Sequence, residues 1–351
     1  MQIQTNTLEK HPRLYTIEFL RIFFVFFIIL GHIMKKYPDV ESKILFFFHT
    51  KEMHTWFGVE FFFIIGGFFL YKRIMTTPDI WSLIKKIYLR LFPALLFVFF
   101  LCVMSGSVKL YKIPTILSLT TGLTIPGVVT GYGDWYVGTY FWCSLLFIGL
   151  FSNNFKQGFL WTGVLSYFTL CLKFNAPYDG WMKTYYTIIG NQFIRGIYSM
   201  GIGIATAYLA EKVSVSDKKG LRFFFTLVEV SGLVLIFNYI ARPSHAHLNF
   251  WEMEIVFSLW LICVAKSLGY ISIVFNKMSK VQFVSRYSYP IFLGHIPFMK
   301  YIPEHGNFGL SPTICGLIIM VGGIMTGIFE YHFIEKKVIP LITKYFKKEG
   351  A

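Results

Sequence analysis

Residues 14–34 read LYTIEFLRIFFVFFIILGHIM and residues 58–70 read GVEFFFIIGGFFL. Neither run alternates apolar with polar side chains as a half-buried strand does. A run of about 20 apolar residues crosses the ~30 Å hydrocarbon core of a bilayer as a helix. A membrane barrel would instead show segments of about ten residues alternating in polarity. These two stretches set the class as all-α, a polytopic membrane helix bundle.

Working outward, similar blocks recur along the chain with short polar stretches between them. They predict about ten transmembrane helices, each near the membrane-crossing length: Leu14–Met34, Trp56–Tyr71, Ile87–Ser105, Trp135–Phe151, Phe159–Leu172, Phe193–Ala210, Phe223–Ile240, Trp251–Leu268, Tyr287–Ile302 and Pro312–Phe333. No internal repeat is visible. Apolar residues make up 55% of the chain, aromatic residues 20% and charged residues only 15%, against about 25% charged in a soluble domain. The first block is not a cleaved leader, because it carries Glu18 and Arg21 within the span and lacks a small-residue cleavage site. One transmembrane domain over residues 1–351 is expected, with no soluble extracytoplasmic domain.

The net charge of +15 does not point to nucleic acid. The basic residues stand at the ends of the apolar blocks, where they set topology and touch lipid headgroups. If the spans alternate, the termini and the connections after the second, fourth, sixth and eighth spans hold roughly twenty Lys and Arg against about ten opposite, which predicts both termini cytoplasmic. On the far side the longest connection, Gly106 to Asp134, is rich in Gly, Pro and Thr and reads as a structured, partly re-entrant surface. The cysteines Cys102, Cys143, Cys171, Cys263 and Cys315 lie in or beside apolar blocks without a C-x-x-C pair and read as small core side chains. No metal site is expected. His245 and His247 with nearby Glu252 and Glu254, or His49 with His54, could be ligands, but loop histidines without a filled set of spacings read as solvated.

Charges inside a span cost about 2.5 to 3.5 kcal/mol on insertion scales, so each one is a functional candidate. Arg21 and His32 lie eleven positions apart in the first span. At about 100° per residue their directions differ by only about 20°, and at ~1.5 Å rise they are about 16 Å apart along one face. That makes a single polar stripe, with Arg21 toward the cytoplasm and His32 toward the far side. The bland alternatives are an Arg21–Glu18 surface pair and a His32 hydrogen bond between helices. Glu60, Trp135, Tyr136 and Arg195 should reach the depth of His32. Glu60 is the expected carboxylate partner of His32, with a Glu60–Arg195 ion pair as the alternative. His295 falls near mid-bilayer, either on the same path or bonded to a neighbouring helix. Glu229, within the seventh span, has no assigned role.

These same residues carry a resemblance to the acyltransferase 3 family, membrane proteins that acylate cell-surface carbohydrates. Glu18-Phe-Leu-Arg21, ten residues and then His32 look like the family's first-span hallmark. The run from Gly58 to Phe68 resembles its second-span signature, with Gly66 where Ser is usual. Lys85-Lys86-Ile-Tyr-Leu-Arg90 is similar to its basic segment, with Lys at sites expected to be Arg. Trp135-Tyr136, Arg195 to Gly201, Ser285 to His295 and Phe333-Ile-Glu335-Lys336-Lys337 resemble later landmarks, Lys337 standing where Pro is frequent.

The resemblance implies a multi-pass protein of the bacterial inner membrane with acetyl-CoA, or another acyl-CoA, as cytoplasmic co-substrate and no permanently bound cofactor. The acceptor it implies is a hydroxyl of a surface polysaccharide or lipid-linked glycan. Arg73, Lys85, Lys86 and Arg90, with Arg21, would receive the CoA phosphates. His32, Glu60 and Arg21 form the expected catalytic group, and Trp135, Tyr136, Arg195, His295 and Glu335 are expected to bind acceptor or line the pore. His32 would either carry the acyl group or deprotonate the sugar hydroxyl. Some relatives have an added extracytoplasmic hydrolase-like domain. Here the short basic tail leaves no room for one, so the bundle is expected to act alone, as a homo-oligomer, or with a separate transferase. The competing readings are a flippase for lipid-linked saccharide, which would move substrate without consuming acyl-CoA, and a non-catalytic subunit of a polysaccharide synthesis complex.

Overall fold

The computed structural model describes residues 14–47, 50, 53–55, 57–77, 79–120, 134–174, 184–185, 189–215, 218–241, 250–278, 280–302 and 309–341. Its helices are α1 (Tyr15–Lys36), α2 (Pro38–Phe47), α3 (Phe57–Thr76), α4 (Ile80–Met104), α5 (Ile113–Leu117), α6 (Asp134–Phe151), α7 (Phe155–Phe174), α8 (Asn191–Lys212), α9 (Lys219–Ile240), α10 (Phe250–Ala265), α11 (Tyr270–Phe275), α12 (Val281–Ser285), α13 (Ser288–Gly294), α14 (Ile296–Tyr301) and α15 (Pro312–Glu330). A π-helical segment, Tyr331–Val338, continues α15. Among the described residues the only extended pairing is a two-residue antiparallel ladder, β1 (Thr184–Tyr185) with β2 (Ile189–Gly190).

Among the described residues, 5 helices are long and apolar enough to cross a membrane: Tyr15–Lys36, Ile80–Met104, Asn191–Lys212, Lys219–Ile240 and Pro312–Leu341. Trp135–Phe151 is a shorter apolar helix. The remaining expected blocks also fall on helices, namely α3, α7, α10 and the α13–α14 pair. That last pair corrects an expectation, because the block Tyr287–Ile302 is not one helix. It breaks at His295, two residues before Pro297, which has no N–H to continue the ladder.

Helix ends follow local chemistry. Pro38 fixes an extended Tyr37 and opens α2, so α1 stops at Lys36. Asp79 caps α4 by accepting from the N–H groups of Trp81 (3.1 Å) and Ser82 (3.0 Å). Glu229 also finds its role here. Its carboxylate is wholly buried and accepts from the N–H groups of Gly269 and Ser272, each at 3.2 Å, which ties α9 to the start of α11. Lys36 donates to the carbonyls of Met299 and Ile302, closing the far end of α14.

Tight helix contact places the site. In lipid, helices associate by close packing and interhelical hydrogen bonds, not by escape from water. A Cβ at Gly67 would sit 1.9 Å from the Met200 carbonyl oxygen, and one at Gly203 would sit 2.0 Å from that of Ile64. Only glycine lets α3 and α8 cross this closely. Phe24, Phe61 and Phe257 join α1, α3 and α10, with ring centroids 4.6, 5.9 and 5.4 Å apart. Outward, large apolar side chains such as Trp161, Phe168, Phe224, Val234 and Met325 stand exposed, as lipid contact requires. Of the cysteines, Cys102, Cys143, Cys263 and Cys315 are buried and Cys171 is half-buried. Of the long connection Gly106 to Asp134, the first part folds back: Tyr88 donates to the Leu117 carbonyl and Trp142 to that of Ser118, each at 3.3 Å. Residues 121–133 lie outside the described residues.

Candidate active site

Arg21 lines a cavity of about 240 Å³ built from the first half of α1, one face of α3 from Val59 to Arg73, the first half of α4, and α6 and α13. Three guanidinium groups, those of Arg21, Arg73 and Arg90, share it with Glu18, Tyr136, Tyr140, Ser288 and Tyr289. Arg21 donates to Glu18 at 3.2 Å, one turn away. Both bland and functional readings of Arg21 therefore describe the same side chain, paired locally and facing the cavity. Glu335, in the π-helical segment, lies within electrostatic reach of Arg90 and Arg21 without lining the cavity. Lys85 and Lys86, expected among the donor-binding cations, are exposed and do not line it. Lys86 stands one turn outside Arg90, and Lys85 is turned about 140° around α4 from it.

His32 lines a second cavity, about 520 Å³, at the opposite end of the same helices. Its other walls include Lys35, Glu41, Thr55, Trp135, Asn191, Gln192 and Arg195. The two cavities share two wall residues, Ile28 and Val59. The expected continuous polar stripe is thus two chambers. Between Arg21 and His32 the same face of α1 presents Val25 and Ile28, at one-turn spacing.

Among the described residues, a partner of His32 is a second imidazole. His32 Nδ1 lies 2.9 Å from His295 Nε2, and the rings stack with centroids 5.1 Å apart. His295 is wholly buried, and its Nδ1 lies 2.5 Å from the Phe292 carbonyl oxygen. A carbonyl can only accept, so in the neutral pair His295 carries its proton on Nδ1. Its Nε2 then accepts, His32 donates from Nδ1, and the basic lone pair of His32 is on Nε2. The break at His295 supplies this arrangement, because it takes Phe292 out of the regular ladder just where the ring folds back.

Glu60 does not hold His32. Both its oxygens accept from Arg195, through Nε and Nη2, and the pair is buried, with side chains 1% and 5% exposed. The fork of Arg195 matches a carboxylate in two bonds, where an imidazole offers one. Arg195 also lies 5.5 Å from the Trp135 ring centroid. Trp135 and Tyr136, adjacent in sequence, serve different chambers: Trp135 belongs with His32 and Tyr136 with Arg21.

Sequence reasoning missed the amides Asn191 and Gln192, although their place one turn before Arg195 at the start of an apolar block was a signal. It also missed Tyr140, one turn from Tyr136. Glu252 accepts from Tyr239 at 2.5 Å and Glu254 from Ser199 at 2.6 Å. His49, His245 and His247 lie outside the described residues. His54, expected to be solvated, is instead buried, because its backbone N–H donates to the Ile240 carbonyl at 2.7 Å and draws the segment against α9.

Comparison with curated proteins and with solved structures finds no match. The model of one family, described as an acyltransferase domain, matches residues 14–329, which takes in both chambers and every helix that lines them. The chain therefore belongs to the acyltransferase 3 family of membrane acyltransferases.

Proposed function

We propose that the chain moves an acyl group, acetyl from acetyl-CoA, onto a hydroxyl of a cell-surface or lipid-linked carbohydrate at a bacterial inner membrane. The observation that carries this reading is the His32–His295 pair at one of two chambers toward opposite ends of α1, the other holding three arginines. In this reading the helices make ten crossings with both termini cytoplasmic, so the arginine chamber faces the cytosol. At about 240 Å³ it is smaller than the ~300–1,000 Å³ of a drug-sized pocket. It suits the slim pantetheine arm, with the phosphates outside against Arg73 and Arg90.

The His32 chamber suits a sugar, with an aromatic face in Trp135 and amides in Asn191 and Gln192. His32 Nε2 takes the proton of the sugar hydroxyl as its oxygen bonds to the thioester carbonyl carbon. The carbon–sulfur bond then breaks, and His32 returns the proton to the departing thiolate, giving a carbohydrate ester and free CoA. His295 orients the ring and shares the positive charge it gains. The same lone pair could instead carry the acyl group as an acyl-imidazole.

The test is acylation of surface glycan by His32→Ala and Arg21→Ala chains at matched membrane abundance. Loss of about 10²–10⁴-fold is expected for His32→Ala. Full activity in both variants ends the reading, and glycan export without acyl-CoA consumption would favour a carrier.

A further inference from the structure

We infer that Ile28 and Val59 select the acyl group, by forming the apolar passage through which it must reach His32. The inference rests on the acyltransferase reading above and adds a specificity determinant to it.

Along α1 one face presents Arg21, Val25, Ile28 and His32 in turn. Val25 lines the arginine chamber, Ile28 lines both chambers and His32 lines only the second. Along α3 and the turn before it, the order is repeated from the other end. Gly66 and Phe62 line the arginine chamber, Val59 lines both, and Thr55, just before α3, lines only the second. Among the described residues, Ile28 and Val59 thus form the only wall the two chambers have in common. Both are branched at Cβ, and they are only 3% and 6% exposed.

Ile28 has little freedom to move aside. A Cβ at Gly58 would lie 3.0 Å from its Cγ1, so the side chain is seated against the α3 backbone. Branching at Cβ restricts its rotamers further.

The cations that suit CoA phosphates stand on one side of this wall, and the histidine pair stands on the other. His32 is four residues, about 6 Å of helix rise, beyond Ile28. A thioester held by its phosphates must therefore place its carbonyl at the wall, with the acyl tail between two branched side chains. A charged or strongly hydrated group is excluded there, since nothing on these two residues can replace its hydrogen bonds. An acetyl group, one methyl beyond the carbonyl, passes most easily, and each added methylene must displace Ile28 or Val59.

The reaction itself is unchanged: one carbon–oxygen bond forms, one carbon–sulfur bond breaks, and the hydroxyl proton ends on the thiol. What the wall changes is the relative rate for different acyl groups. A methylene in an apolar pocket is worth about 10- to 200-fold in discrimination.

The experiment supplies membranes from a gene-carrying strain, which hold their own envelope glycans, with an equimolar mixture of acetyl-CoA and butyryl-CoA. Acetate and butyrate released from the glycan by mild base are then compared. Val59→Ala is expected to raise the butyrate-to-acetate ratio about tenfold or more, and Val59→Leu to lower it below wild type. Unchanged ratios in both variants overturn the inference. If Val59→Ala fails to accumulate in the membrane, the Val59→Leu ratio decides alone. Transfer of neither acyl group by the wild-type chain, or undiminished transfer by His32→Ala, overturns the underlying reading instead.

Discussion

Glu60 and Arg195 are almost wholly buried, and each makes the other tolerable. Removing one partner of such a pair strands the other charge, typically at about 3–5 kcal/mol. Glu60→Ala and Arg195→Ala should therefore each lower the melting temperature of the detergent-solubilised protein sharply. The double variant, with no stranded charge, should recover part of the loss. Equal and additive losses would show that the two residues act independently. Arg21 and His32 were legible together because both lie on one helix, where spacing fixes direction. The partner of Glu60 was less so, since three helices had to be placed first, and bidentate fit then favoured guanidinium over imidazole. The His32–His295 contact joins residues 263 positions apart, and neither sequence neighbourhood implies the other.

Among the elements, the crossing of α3 and α8 is the contact on which the second chamber depends, because it sets Arg195 beside Glu60. Gly67→Ala would drive a methyl into backbone, the Met200 carbonyl, which has nowhere to go. Gly66→Ala meets only the edge of the Tyr140 ring, at 2.6 Å, and a ring can rotate away. Gly67→Ala should then abolish folded protein, read as a monodisperse peak in detergent. Gly66→Ala should leave the fold intact and alter acyl-donor affinity, since Gly66 and Tyr140 both line the arginine chamber. The reverse order of severity would count against the crossing described. Helical blocks were readable from apolar runs, but the break in Tyr287–Ile302 was not drawn. Pro297 was in plain view. Its effect was missed because a proline in a membrane helix is often absorbed as a kink rather than a stop. That Lys85 and Lys86 stand outside the chamber was hidden for a related reason: charge composition places a residue near a mouth, and only helix phase says which way it faces.

For the molecule as a whole, the apolar helices and the family match establish a membrane protein, while the orientation we propose rests on charge asymmetry alone. Ser42→Cys in α2 and Lys86→Cys in α4, at positions that are both exposed, lie at opposite ends of the bundle. A membrane-impermeant maleimide added to intact cells should modify the thiol introduced in α2 and spare the one introduced in α4 until the membrane is opened. Labelling in the opposite order would invert the proposed placement of thioester and sugar. The partition at Ile28 and Val59 carries one more consequence at this scale. A living membrane holds a voltage, and each elementary charge that falls through 100 mV gives up about 2.3 kcal/mol. A water-filled path from the guanidinium groups to the imidazoles would leak protons down that gradient whenever the protein stood idle. In the proposed arrangement, two greasy side chains between the chambers would act as an insulator, letting a neutral acyl group be handed across while the cell's battery stays charged.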